Sequence, residues 1–201
     1  MQRIFDDGKR LSCQHESAML YPMNFDRAKF KVLVLYVIWR TGGVADFGAI
    51  KLNKVLWFAD ACTFEAFGQS ITGETYVRRK FGPVPKHIDD VVAELQHEGA
   101  IQTWTEPLFE FEVKRFAAHQ PPDMSAFSPD ELGFIDWWIK HVAEHHTAKS
   151  ISEKSHDYGW KIAKEGEELT YSAFLAKRLR GQRDGEELEW ANKAALEVEA
   201  G

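Results

Sequence analysis

The stretch "ITGETYVRRKFGPVP", residues 71–85, decides the fold because it interrupts a series of helical patterns. From Thr75 to Phe81 the residues alternate as they do in a β-strand, and Gly82-Pro83 predicts the end of that strand. Pro85 suits the first turn of the next helix, since its fixed φ is helical and no backbone N–H is needed there. The stretch is therefore predicted to be a strand that connects two helices.

Apolar residues at helical spacing lie on both sides of this strand. We predict helices from Asn24 or Asp26 to Arg40, from Phe47 to Phe67, after Pro85, after a capping box at Ser128 and Glu131, and near Thr147 to Ser155. Residues 101–113 alternate on both sides of Pro107-Leu108, which predicts a hairpin that turns at this dipeptide. The fold class is therefore α+β and predominantly α-helical: a helical bundle with a small antiparallel β-sheet or hairpin.

The composition is that of a folded globular chain, with 201 residues, 44% of them hydrophobic, and a net charge of −6. A negative chain is unlike a general polyanion-binding domain, which carries a basic excess. The longest apolar run, "VLVLYVIW" at residues 32–39, is too short to span a bilayer, and no signal peptide is recognisable. Two isolated cysteines, Cys13 and Cys62, fit a reducing compartment. These features predict a cytoplasmic protein.

Candidate catalytic and metal-binding residues are few. Cys62 with His156 and Asp157 or Asp60 contains the groups of a catalytic triad, but no strained turn presents the thiol, and Cys62 lies on an apolar helix face. His141 and His145 share one helix face, and no third ligand at a family spacing accompanies them. We therefore expect a protein that is not an enzyme and that has no cofactor and no metal site.

The basic residues of the opening stretch form either a solvated strand face or a nucleic-acid-binding surface. Arg78, Arg79, Lys80 and Lys86 lie close together in sequence with no acid among them. With the helix and hairpin that follow, they would form a winged-helix DNA reader, and this alternative stays open. The helix after Pro85 argues against it, because its acidic residues would repel phosphates; these are Asp89, Asp90, Glu94 and Glu98.

Two segments together resemble the Panacea domain, also called the SocA-like antitoxin domain. Residues 51–85 contain a Lys-Leu-x-Lys helix, an aromatic-Ala-Asp triplet, Ile-Thr-Gly-x-x-Tyr and Gly-Pro-x-Pro, and residues 147–171 contain a Ser-His pair and a Trp. The resemblance predicts a Panacea-like domain at residues 23–175. The residue pattern outside the resemblance predicts an N-terminal lead or arm at residues 1–22 and an acidic helical extension at residues 176–201.

The resemblance implies a bacterial or phage antitoxin that binds and neutralises a cognate toxin. In one relative the domain acts as an adaptor that delivers the toxin to a cytoplasmic protease. No catalytic residue or cofactor is implied. Independently of the resemblance, strand alternation places Tyr76, Arg78 and Lys80 on one face, and with Lys86 they are our predicted partner-binding residues.

Overall fold

A computed structural model describes residues 24–108 and 111–174. The predicted arm at residues 1–22 and the predicted C-terminal extension at residues 176–201 lie outside the described residues, so the division into three segments stays a prediction. The elements, in chain order, are α1 (Arg27–Thr41), α2 (Ala49–Phe67), β1 (Tyr76–Arg79), β2 (Gly82–Pro85), α3 (Ile88–His97), β3 (Ile101–Leu108), β4 (Phe111–Ala118), α4 (Pro129–His145), α5 (Ala148–Lys154), α6 (Tyr158–Ile162) and β5 (Glu168–Leu169).

The helix ends follow the capping chemistry of the sequence. Asp26 caps α1 by accepting from the Lys29 backbone N–H, and Ser128 and Glu131 form the predicted capping box of α4. Helix α2 begins at Ala49, two residues after the predicted start, and ends at Gly68, whose φ of 74° is left-handed. The predicted helices are therefore confirmed, with small shifts at their ends.

The Gly-Pro-x-Pro corner differs from its prediction. Gly82-Pro83 does not end the strand region: it begins β2, which returns antiparallel to β1 so that Tyr76 pairs with Pro85 and Arg79 with Gly82. Pro85 is the last residue of β2, not part of the first turn of a helix, and α3 begins at Ile88. Both prolines are tolerated because β2 is an edge strand in the described sheet, whose order is β2-β1-β5.

The second hairpin, β3–β4, is longer than predicted. Pro107 and Leu108 do not form its turn: they lie in β3 and pair with Glu112 and Phe111. Residues 109–110, between the two strands in the sequence, are outside the described residues. The prediction that the hairpin turns at Pro107-Leu108 is therefore wrong, because β3 continues through the proline.

Helix α2 is the centre of the core. It packs against α1, α4 and α5, and its Phe58 ring stacks on Trp138 of α4 at a centroid distance of 4.3 Å. Trp57, on the same helix, stacks on Tyr171 at 5.7 Å. Large aromatic side chains buried this way supply much of the stabilisation of a domain of this size. The predicted class, a mostly helical α+β fold with small antiparallel sheets, is confirmed.

Candidate partner-binding surface

The first predicted site residue, Tyr76, lies inside the molecule. Its side chain is 0% exposed and its hydroxyl donates to Asp60 Oδ2 at 2.8 Å. Asp60 also accepts from the backbone N–H and the hydroxyl of Thr72, at 3.0 and 2.9 Å. The Asp of the aromatic-Ala-Asp triplet thus anchors the Ile-Thr-Gly segment and β1 to α2. Tyr76 is a structural residue in this arrangement and has no surface to offer a partner.

The other predicted residues lie at two ends of the β1–β2 hairpin. Lys80 is in the turn, whereas Lys86 follows β2 and pairs with Glu168 at 2.8 Å. The four residues of β2 lie between the turn and Lys86. At about 3.3 Å per residue, they place the two lysines roughly 13 Å apart along the strand. Arg78 lies over the Trp160 ring at 4.5 Å and pairs with Glu165. The structure therefore does not gather the four predicted residues on one face.

The turn of the hairpin forms an exposed surface together with α6. We call it the tip surface and define it by residues whose side chains are exposed: Arg79, Lys80, Phe81, Tyr158, Lys161 and Ile162. Phe81 is 51% exposed and Ile162 is 65% exposed, which is unusual for such large apolar side chains. Tyr158 and Ile162 are four residues apart, so they share one face of α6.

Two hydrogen bonds hold the hairpin turn against α5 and α6. The Trp160 indole N–H donates to the Arg79 carbonyl at 2.9 Å, and the Ser152 hydroxyl donates to the Phe81 carbonyl at 3.0 Å. Asp157 caps α6 by accepting from the Trp160 backbone N–H at 2.8 Å. The backbone under the tip surface is thus fixed, which lowers the entropy lost on binding a partner.

The tip surface is positively charged, whereas the whole chain has a negative net charge. Arg79, Lys80 and Lys161 form no ion pair within the described part of the chain, although the protein carries a net charge of −6. Exposed aromatic and aliphatic side chains beside an unpaired arginine are the composition of interface hot spots. Of the predicted partner-binding residues, only Lys80 belongs to the tip surface, and the sequence reasoning missed Tyr158 and Ile162.

A buried lysine lies beneath the tip surface. Lys54 is 1% exposed and its ammonium donates to the Pro83 carbonyl at 2.7 Å. Burial lowers the pKa of Lys54 from its ordinary 10.5 to about 7. Burial also lowers the pKa of the neighbouring His156, and the positive charges of Lys54 and Arg78 lower it further. The Lys54 amino group therefore supports the hairpin from inside through its hydrogen bond to Pro83, and burial disfavours its charged form.

The buried lysine predicts a pH-dependent stability. Between pH 7 and 10.5 the unfolded chain keeps a proton that folded Lys54 has released, so the free energy of unfolding rises with pH. At about 1.4 kcal/mol per pKa unit, we expect wild-type stability to rise by about 2 kcal/mol from pH 7 to pH 9 relative to Lys54→Met. Urea denaturation of both proteins at the two pH values measures this. If the free energy of unfolding changed equally in both proteins between pH 7 and pH 9, the lowered pKa of Lys54 would be contradicted.

The proposed triad residues lie in different settings. Cys62 is half-buried and packs against the core, whereas His156 stacks face to face on Trp160 at 3.6 Å. Among residues 24–108 and 111–174, no group of three or more His, Cys, Asp or Glu side chains is placed to hold a metal ion. In the same residues, no helix is both long and apolar enough to cross a bilayer.

The helix that a winged-helix reader would use is acidic on its outer side. Asp89 and Asp90 are exposed in the first turn of α3, and Glu94 pairs with Arg27 and Lys31 at 2.9 and 2.7 Å. These pairs fix α3 against α1 rather than presenting cations to phosphates. The position of α3 therefore offers the DNA-binding alternative no support.

The architecture defines a predominantly helical α+β domain with an exposed apolar and basic surface at one hairpin. Residues 52–161, more than half of the 201-residue chain, match the family model described as the antitoxin SocA-like, Panacea domain, and the chain belongs to this family. Searches of curated proteins and of solved structures gave no match. Membership indicates a role in a toxin–antitoxin system, in which the partner is in general a toxin.

Proposed function

We propose that this protein is an antitoxin that neutralises a cognate toxin protein by binding it directly in the cytoplasm of a bacterium or a phage-infected cell. The observation that carries the proposal is the family match over residues 52–161. The protein acts by forming a complex and not by catalysis. Cys62 packs against the core and His156 stacks on Trp160, and both contacts are those of structural side chains.

The tip surface is the part of the antitoxin that contacts the toxin in this proposal. Its apolar members are Phe81, Tyr158 and Ile162, and its cations face outward without internal ion pairs in the described chain. A complementary partner carries an apolar patch beside acidic residues. The net charge of −6 does not contradict this, because contacts at an interface are decided by the local patch.

Co-expression rescue tests the proposal. The toxic product of the neighbouring gene is expressed with and without this protein, and growth and co-purification are scored. We expect rescue and co-purification with the wild type. The combined variant Arg79→Glu, Lys80→Glu, Phe81→Ala should bind about 100-fold more weakly or worse, because two attractive charges become repulsive and an apolar anchor is lost.

A matched variant changes the same residue types elsewhere on the surface. Lys114→Glu, Lys140→Glu, Phe67→Ala reverses two exposed lysines and truncates an exposed phenylalanine, and we expect it to rescue like the wild type. Equal thermal stability of the two variants would show that the tip variant fails at binding and not at folding. If the tip variant rescued growth, the toxin would bind a surface other than the tip surface. If the wild type neither rescued growth nor co-purified with the toxin, direct neutralisation would be refuted.

The protease-adaptor role is a narrower form of the same proposal, and the amount of toxin distinguishes it. Neutralisation by stoichiometric binding leaves the toxin level unchanged when the antitoxin is present. Delivery to a protease shortens the toxin half-life, which a chase after blocking protein synthesis measures. A toxin that is inhibited at unchanged half-life would exclude the adaptor role and leave direct neutralisation in place.

A further inference from the structure

Three histidines meet at the carboxyl end of α4. His141 and His145 lie on the helix, and His146 is its C-cap residue. The Nε2 atoms of His141 and His146 are 3.2 Å apart, and the ring centroids of His141 and His145 are 5.4 Å apart. The sequence pairs only His141 with His145, through helical spacing; the turn after the helix brings His146 to the same ring.

The separation of the two nitrogens fits shared metal ligation. Zinc–imidazole bonds of about 2.0–2.1 Å at a tetrahedral angle place two ligand nitrogens roughly 3.3 Å apart. The Nε2–Nε2 distance of 3.2 Å, across which the two rings share one hydrogen bond, is close to this separation. Both side chains thus have the spacing of two corners of a tetrahedron around one ion.

Neighbouring groups fix the two rings and set one tautomer. The Ser150 hydroxyl donates to the Thr147 carbonyl at 3.3 Å and lies 3.0 Å from His146 Nδ1, so it accepts a hydrogen bond from the Nδ1–H. With the proton of His146 on Nδ1, its Nε2 lone pair accepts the hydrogen bond from His141 Nε2–H, and a metal ion between the two nitrogens replaces this proton. The His141 ring stacks on Trp137 at 4.5 Å with an interplanar angle of 13°, which holds its plane.

We propose that His141 and His146 bind one borderline divalent transition-metal ion of the zinc class, with His145 as a third ligand and water completing the coordination. Imidazole nitrogen selects such ions over Mg²⁺ and Ca²⁺, which prefer oxygen. In the described residues the third ligand is not already in place. The His145 side chain is 63% exposed and rotates towards the ion without disturbing the core.

Isothermal titration of the full-length, tag-free protein with ZnCl₂ after chelator treatment tests the site, with MgCl₂ as the comparison ion. We expect one Zn²⁺ per chain with a micromolar Kd, and no heat of binding with Mg²⁺. His141→Gln and His146→Gln should each weaken Zn²⁺ binding at least about 10-fold, since removing one ligand of few removes a large share of the affinity. His145→Gln should weaken it as well.

The exposed His97 and His119 provide matched controls. His97→Gln and His119→Gln should bind Zn²⁺ like the wild type. Zn²⁺ binding that persists unchanged in His141→Gln and His146→Gln, or that is absent in the wild type at 100-fold excess over the expected Kd, would overturn the site. Unchanged affinity in His145→Gln would overturn the third ligand. Circular dichroism of each variant confirms that a lost affinity is not a lost fold.

Discussion

Replacing Asp60 with alanine is expected to lower the free energy of unfolding by about 2–4 kcal/mol at pH 7.5. The side chain is fully buried and accepts from three donors: the Thr72 N–H, the Thr72 hydroxyl and the Tyr76 hydroxyl. Alanine leaves these donors without their acceptor, and each buried unpaired group costs about 1–3 kcal/mol. The loss is partly offset because an ionised carboxylate is no longer buried. Chemical denaturation measures the difference.

The loss should be larger in acid. Burial raises the pKa of Asp60 from 3.8 to about 6, hydrogen bonds from Tyr76 and Thr72 oppose this, and the charge of Glu74 adds to it. A raised folded pKa stabilises the fold below the unfolded value, and this contribution disappears as pH rises through 6. We expect Asp60→Ala to lose about 1–1.5 kcal/mol more at pH 5 than at pH 7.5.

Two further variants separate shape from charge. Asp60→Asn keeps an acceptor and the volume, so it should destabilise less than Asp60→Ala and have no titrating group at this position. Tyr76→Phe removes one donor and should lose about 1 kcal/mol. If Asp60→Ala were as stable as the wild type at both pH values, the hydrogen-bond network would not be what joins β1 to α2.

Gly82→Ala is expected to lower the free energy of unfolding by about 3–5 kcal/mol, from two causes that add. The φ of Gly82 is +101°, a conformation that side chains other than glycine adopt at a cost. An added Cβ would also lie 2.2 Å from Ser155 Oγ and 2.6 Å from Lys54 Cε, closer than any real contact. Thermal or urea denaturation measures the loss.

Gly99→Ala is the matched control, because it introduces a side chain at a positive φ without a steric clash. Gly99 has a φ of +70° with nothing within 4 Å of an added Cβ, so its loss should be only about 1–2 kcal/mol. Combining Gly82→Ala with Ser155→Ala removes the closest clashing atom, and the double variant should recover part of the stability that Gly82→Ala loses. Equal losses at Gly82 and Gly99 would show that the neighbouring atoms move aside freely.

Local signals in the sequence were sufficient to predict where the helices begin and end. Asp26, Ser128 and Gly68 act within one turn of their own position, so the helix ends could be predicted from nearby residues. The Gly-Pro-x-Pro corner was predicted wrongly because its conformation depends on a distant contact: Lys54, on α2, donates to the Pro83 carbonyl. The local sequence at Gly82-Pro83 is compatible both with the end of a strand and with the start of a second, antiparallel strand.

The candidate surface was predictable only in part, for the same reason. Lys80 was a predicted partner-binding residue and lies on the tip surface, whereas Arg79 was not among the predicted residues and lies there as well. The burial of Tyr76 follows from Asp60, sixteen positions earlier, and no alternation pattern contains that information. Tyr158 and Ile162 join the surface because Trp160, between them, bonds to the Arg79 carbonyl on the hairpin.

The pairing of β1 with β5 has a consequence for the order of events during synthesis. Tyr76 pairs with Leu169, and the Tyr171 hydroxyl donates to the Glu74 carbonyl at 2.7 Å, so the centre of the family-matched segment is covered by residues made long after it. Contacts so far apart in sequence form late. Residues 169–174 must therefore leave the ribosome before the β1–β2 hairpin can make its native contacts with Leu169 and Tyr171. A shortened message that ends near residue 161 would yield a chain with Trp57 uncovered, a substrate for quality-control proteases and not a working domain.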